Sequence, residues 1–312
     1  MKYQFIKNHR SEFTVKKMCH VLKISQSAYQ HWNIKEPSAR LIRRDRLKQR
    51  IFELYLEHNQ MAGSPMITAD LNEEPEFYCT SKNTVARLMR EMKIKCKTVK
   101  KIVVTTDSKH DRLVAPNLLN RKFNVKTSNT VWVSDITYLK VGHRWHYLTV
   151  FIDLFSRSVI GWDLSRSLER HSLIKAFNKA VMCRRPGKGL MIHSDRGVQY
   201  ASKEFKNRFK YHGCIQSMSR KGDCWDNAVA ESFFHTLKTQ LIHHVRFKTF
   251  EEAERILFKY IEVYYNQRRK HSANGWKTPA HSEQAWHNLK NVEQFFGKVH
   301  NLMFFENVRS QH

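Results

Sequence analysis

The chain has 312 residues, 41% of them hydrophobic and 12% aromatic with only 10 Gly and 6 Pro, which excludes a disordered or low-complexity protein and suits two domains or one with appendages. Lys and Arg number 55 against 28 Asp and Glu, a formal charge of +27, and the excess is spread along the chain: +10 over residues 1–100, +4 over 101–130 and +13 over 131–312. That spread excludes a basic tail on a neutral enzyme and favours nucleic acid as partner, although a ribosomal or membrane-surface protein fits the bare number as well.

Residues 1–40 read as small helices. "FTVKKMCHVLKISQSAYQHW" sets Val15, Met18, Val21 and Leu22 on one helical face, breaks near Ile24, and resumes with Ser25 as N-cap. A helix-turn-helix and an ordinary helical hairpin fit this stretch equally. A second trio spans 41–95: "LIRRDRLKQRIFELYLEH" is amphipathic, "SPMITADLN" opens with a Ser cap and Pro at the first helical position, and "TSKNTVARLMREMKI" turns Leu88 and Met92 inward. Lys82, Asn83, Arg87 and Arg90 then line the outside of the last helix, a polar face suited to a DNA groove or simply to solvent.

Residues 96–128 lose periodicity and gather charge, as a basic linker does, and beyond them the texture changes. "TVWVSDITYLKV", "WHYLTVFIDLF" and "SRSVIGWDLS" read as an antiparallel meander of three strands. A helix (about 169–183), a strand (189–194), a helix (about 202–212), a short strand (215–219) and a helix from about 227 follow. This order predicts an α/β domain over 129–283, a mixed sheet flanked by helices and preceded by small all-α modules.

Three carboxylates stand out in that domain. Asp135 shares one side of its strand with Val131, Val133 and Leu139, where an ionised side chain is costly without a cation or partners. Asp195 closes the run "LMIHSD", and ligands collect at strand ends in α/β sheets. Glu231 lies early in the helix "NAVAESFFHTLKTQLI", capped by Asn227. Each has a dull alternative: a buried ion pair, a turn, or a charge complementing a helix N-terminus. Jointly they can converge as oxygen ligands for Mg²⁺. Asp153, Asp163, Asp223 and Asp226 sit by turns and loops, where local hydrogen bonding is the expected role.

"WVSDITYL", "IHSDRGVQY", "DNAVAESFFHTLK" and "YYNQRRKHSANGWKTPA", in this order, resemble OrfB-type transposases of bacterial insertion sequences, the copy-out/paste-in group related to retroviral integrases. The resemblance runs from about residue 13 to about 283, and its sharpest element is Asp, Asp, thirty-five residues, Glu, with Lys238 two turns beyond. It implies an RNase H-like catalytic domain in which Asp135, Asp195 and Glu231 bind Mg²⁺, with Mn²⁺ able to substitute and two ions in the active state. It also implies cleavage at insertion-sequence ends and transfer of the 3′-hydroxyl to a second strand, on double-stranded DNA, by a homo-oligomer assembled there. The product of an upstream reading frame is a further implied partner. Lys238 returns to nearly the same helical face as Glu231 and is expected to hold a DNA phosphate. Two departures touch the second helical module, where "MAGSPMI" carries Ala62 for the family's usual Tyr and Met66 for its usual Arg. Gln240 stands where family members often carry Glu.

Arg268, Arg269, Lys270 and His271 follow an aromatic-rich helix and read as contacts to the DNA backbone, or as a solvated helix end. The tail 284–312 carries Trp286, Phe295, Phe296, Phe304 and Phe305, which pack or dock in a way the sequence does not specify. Six cysteines stand singly, without a Cys-x-x-Cys pair, and no run approaches the roughly 20 apolar residues of a membrane helix. A reduced, cytoplasmic, nucleoid-associated bacterial protein that contacts no membrane is the expectation. Eighteen histidines show no zinc-finger spacing, and His243 and His244 are expected on a helix surface.

Overall fold

β1 (Val131–Val141) is the spine of a five-stranded sheet: Val131–Ser134 are buried on both faces, and burial alternates only from Thr137 onward. The computed structural model describes residues 1–34, 36–97, 115–168, 170–221 and 223–292; most of the basic linker's first half and Phe295, Phe296, Phe304 and Phe305 of the tail lie outside these. The chain divides into two units, Met1–Glu53 and Leu54–His312.

In the first unit, α1 (Lys2–Asn8), α2 (Val15–Val21) and α3 (Gln26–Ile34) close around Ile6, Met18, Cys19 and Tyr29. Thr14 caps α2 by accepting the Lys17 N–H, and Ser25 accepts the Ala28 N–H at the start of α3, as its sequence position suggested. Val21 departs from expectation and is 69% exposed, because the apolar face of this seven-residue helix centres on Met18 and Cys19. Helix α4 (Ala39–Glu57) spans the division between the units.

The second unit opens with α5 (Ser64–Leu71) and α6 (Lys82–Glu91), packed through Ile67, Leu71, Val85 and Leu88. Gly63, not Ser64, is the N-cap of α5; Pro65 sits in the first turn where no backbone donor is needed. Ala62 and Met66, the two departures from the family pattern, are both buried in this small core.

Strands β2 (Arg144–Asp153) and β3 (Val159–Ser165) complete an antiparallel meander with β1. On the other side of β1, β4 (Met191–Ser194) and β5 (Ile215–Met218) run parallel to it, giving the order β3-β2-β1-β4-β5. Helices α7 (Arg170–Arg184) and α8 (Lys203–Tyr211) cover one face, where Trp132, Phe151, Phe177 and Phe205 are buried together. Helices α9 (Ala228–Gln240) and α10 (Phe250–Phe258) cover the other, with Val133, Leu139, Val150, Phe233, Leu237 and Leu257 between them. This is the RNase H-like mixed sheet that the resemblance implied, and each face takes alternate residues of β1.

α7 seats closely on β3 because residue 161 is glycine: a Cβ there would stand 2.4 Å from the Ala176 carbonyl oxygen. α10 continues as a wide π turn over Lys259–Tyr265, which the sequence reading did not foresee. The turn buries Tyr260, Ile261, Tyr264 and Tyr265, and delivers Asn266 to the outer edge of β3. There the Asn266 amide accepts the Val159 N–H and donates to the Val159 carbonyl, both at 2.9 Å. At the opposite edge, the Met218 N–H of β5 donates to the Pro116 carbonyl.

Candidate active site

β4 pairs with β1 only as far as Ser134↔Ser194, so both strands release a carboxylate one residue later, Asp135 on β1 and Asp195 just past β4. Neighbouring strands lie about 4.8 Å apart, so this register alone makes the two aspartates neighbours. Asp195 is fixed by a tight turn in which its Oδ1 accepts the Gly197 N–H at 2.9 Å. A Cβ on residue 197 would fall 3.0 Å from that same oxygen, so a side chain there would crowd the Asp195 carboxylate. Asp135 Oδ1 accepts the Ile136 N–H at 2.8 Å.

Glu231 arrives from α9, one turn into the helix, and the start of α9 is tied to β1. Asn227 sits at the N-cap position but makes no side-chain cap. Its amide points instead toward the Ser134 carbonyl, 3.5 Å away, immediately before Asp135. The expected capping role is thus corrected to a cross-link between helix and strand.

The electrostatics show the three carboxylates sharing one field. Burial and then the charge of Asp195 hold the Asp135 carboxyl well above the usual carboxylate range; Glu231 adds to this, while the Ile136 N–H and Lys238 oppose it. Glu231 is likewise raised, by burial and then by Asp195. Lys238, seven residues after Glu231, is lowered by burial, with Asp135 pulling the other way. Among the described residues no three His, Cys, Asp or Glu side chains converge as a ready-made ligand shell. The donor chemistry nevertheless fits a hard divalent cation: three carboxylates whose mutual repulsion a positive ion relieves.

Several residues of the site escaped the sequence reading. Tyr200 is fully buried and shares a 2.8 Å hydrogen bond with Ser134, with its hydroxyl held far above the ordinary tyrosine value by burial and by Asp195 and Asp135. His193 is fully buried between Ser217 (2.9 Å) and Ser219 (3.3 Å), and burial lowers it from 6.5 to about 4, so it is neutral. Asp226 receives Arg220, Arg121 and Asn117 together, bracing the loop before α9; these cations hold it far below the usual carboxylate range. Only the bracing of loops by acids was visible in advance. Asp223 accepts the Trp225 N–H, and Asp153 accepts the Asn129 and Phe155 N–H groups.

The basic residues sort into two groups. Lys82, Asn83, Arg87 and Arg90 are all exposed on α6, and Arg268 is exposed beyond the π turn. Lys270, expected on DNA, is 5% exposed and spent internally: its Nζ lies 3.0 Å from Asp70 and 2.7 Å from Glu73, and donates to the Ala69 carbonyl. His271 is partly buried and held to about 4 by burial and by Arg269 and Arg157, so near neutral pH it brings no charge to a phosphate. Arg269 lies over the Tyr265 ring. The expectations for Lys270 and His271 are corrected by the same cause, the folding of the segment after the π turn against the rest of the unit.

The Integrase core domain family matches residues 126–224, a second Integrase core domain family matches 212–279, and the HTH-like domain family matches 43–101. Transposase InsF of insertion sequence IS3A from Escherichia coli (strain K12) is 35% identical over 287 residues, 91% of this chain and 98% of that protein. An uncharacterized 31 kDa protein of insertion element IS600 from Shigella sonnei is 35% identical over 272 residues, 87% of this chain and 99% of that one. Among solved structures, the HTLV-2 integrase catalytic core in complex with magnesium covers 49% of this chain and 94% of its own, at 20% identity and a TM-score of 0.38, a likeness too slight to carry an argument.

Proposed function

The chain belongs to the transposases of IS3-type insertion sequences, and from that membership we propose that Asp135, Asp195 and Glu231 are the catalytic carboxylates of a DNA-cutting and DNA-joining site. Its activity is polynucleotidyl transfer. The observation that carries the residue assignment is the strand register, which ends β1 and β4 pairing just before two aspartates whose charges act on each other and on Glu231.

Asp135 and Asp195, with Glu231 as third donor, would hold Mg²⁺, with Mn²⁺ as substitute and two ions when active. Bound there, divalent ions activate an attacking oxygen and steady a leaving one. The chain's own residues set the stage. Gly197 and Ile136 orient the two aspartates by N–H donation, and the Ser134–Tyr200 bond and Asn227 hold β1 rigid beneath them. Lys238, drawn toward Asp135, holds the phosphate of the reacting strand. In the first step a water oxygen bonds to phosphorus while the P–O3′ bond at the element's end breaks, freeing a 3′-hydroxyl. In the second that hydroxyl bonds to phosphorus of another strand, whose own P–O3′ bond breaks. Lys82, Asn83, Arg87, Arg90 and Arg268 remain available for DNA outside the site, and copies of this chain, with the upstream reading-frame product, would assemble on the DNA.

The test is purified full chain with labelled insertion-sequence ends and Mg²⁺ or Mn²⁺, scored for nicked and joined products. Wild type is expected to give both, and Asp195→Asn to lose at least a hundredfold, as removal of a group central to charge stabilisation does. Equal product from Asp195→Asn, or none from wild type both alone and with the upstream reading-frame product added, refutes the assignment; nicking without joining reduces it to a nuclease.

A further inference from the structure

Beyond Ser134 the strand β1 has no β4 partner, and the β1–β2 hairpin projects past the carboxylates. On this projection two aromatic rings stand in solvent: Tyr138, three residues from Asp135, is 43% exposed, and Trp145 on β2 is 55% exposed. Their rings meet at right angles with centroids 5.1 Å apart. Alternation puts both on the face shared by Ser134 and Phe151, opposite that of Asp135; α7 and α8 cover its inner part, the cover stops at the hairpin end, and Lys238 links the two faces by acting on Asp135 as well as on the Tyr138 ring. Lys238 Nζ stands 5.3 Å from the centre of the Tyr138 ring. Lys140, directly opposite Trp145 in the register, and His143 and Arg144 at the turn are all exposed.

From this arrangement we infer that the Tyr138–Trp145 pair is a stacking platform for an unpaired nucleobase of the DNA strand whose phosphate reaches Asp135. The inference rests on the catalytic reading above and adds a binding subsite to it. Two large aromatic rings paired in solvent at the hairpin that extends past the carboxylates offer a flat apolar surface, and every base has a face to stack on it. Trp145 supplies the open ring. Tyr138, gripped by Lys238, holds it upright. The surrounding Lys140, Arg144 and Lys238 match the phosphates on either side of a splayed-out nucleotide. A paired end keeps its bases stacked inward, whereas an end opened by one or two pairs presents a base to the platform, at lowest cost where pairing is already lost.

The probe is a short duplex carrying 2-aminopurine at an unpaired terminal position, compared with the same duplex fully paired, bound to full-length Asp195→Asn protein so that no cleavage intervenes. Quenching of the 2-aminopurine on binding is expected for the frayed duplex. Trp145→Ala should abolish the quench and weaken the frayed duplex about tenfold, with Trp145→Phe restoring most of both, while the paired duplex changes less than about twofold. Tyr211→Ala, at an even more exposed aromatic on α8 (81% exposed), should change neither. Equal losses on frayed and paired duplexes in Trp145→Ala would overturn the platform, as would quenching that survives it. Either result leaves the carboxylate assignment standing, since that assignment is decided by the cleavage assay.

Discussion

At the scale of single residues, the site depends on groups whose protonation is set by burial more than by neighbours. His271 shows the same control away from the carboxylates. Its Nδ1 accepts the Ala273 N–H, and burial with Arg269 and Arg157 depresses it from 6.5 to about 4. In that interval the unfolded chain binds a proton that the folded chain refuses, so stability is complete above about pH 6.5 and falls as pH drops toward 4. The loss is at most ~3 kcal/mol from this one group. Urea midpoints measured through this window should decline in wild type and decline less in His271→Gln; identical curves would show that His271 titrates normally. Asp135 stood out in the sequence because a charge among Val131, Val133 and Leu139 contradicts its own strand, whereas Asp195 and Glu231, each plausible as a turn or a helix-end charge, joined it through the spacing that carries the family resemblance. Tyr200 was not, since a tyrosine in "RGVQY" reads as ordinary core and its contact with Ser134 joins positions 66 residues apart.

At the scale of elements, period-two patterning made β1, β2 and β3 readable, and the helices between β3 and α9 fall within a residue or two of expectation. What patterning does not carry is how closely two elements approach. Gly161 sets that distance for α7 and β3, because any side chain would meet the Ala176 carbonyl at 2.4 Å and Ala180 at 2.7 Å, both rigid backbone or backbone-proximal atoms. Gly161→Ala should therefore cost about 3 kcal/mol, the upper range for overpacking, while Gly187→Ala, with nothing within 4 Å, should be near neutral. Chemical denaturation of both variants checks this, and equal stability would mean that α7 can shift freely. The π turn at Lys259–Tyr265 was illegible for a related reason: one turn wider than its neighbours rotates every later residue without changing the composition.

At the scale of the second unit, the helical module carrying α5 and α6 is tied to the catalytic core through Lys270. This lysine lies 201 positions from Ala69, so the run "RRK" gave no hint that its third member turns inward while its first stays in solvent. Asp70 also meets His58 Nε2 at 2.9 Å, so two cationic or polar partners converge on one largely sheltered carboxylate. Lys270→Met leaves Asp70 short of its cation and should destabilise by roughly 3 kcal/mol, with Asp70→Asn in the same chain recovering part of it. Simple additivity of the two in a double-mutant cycle would argue that the pair does not join the module to the core. The sheet's borders carry a separate consequence. Val159 is occupied by the carboxamide of Asn266 and Met218 by Pro116, so another polypeptide seeking to lengthen the β-structure must first evict a resident from either side. An unsealed sheet edge is a template for pairing with another chain, and these two seals blunt both edges of this sheet.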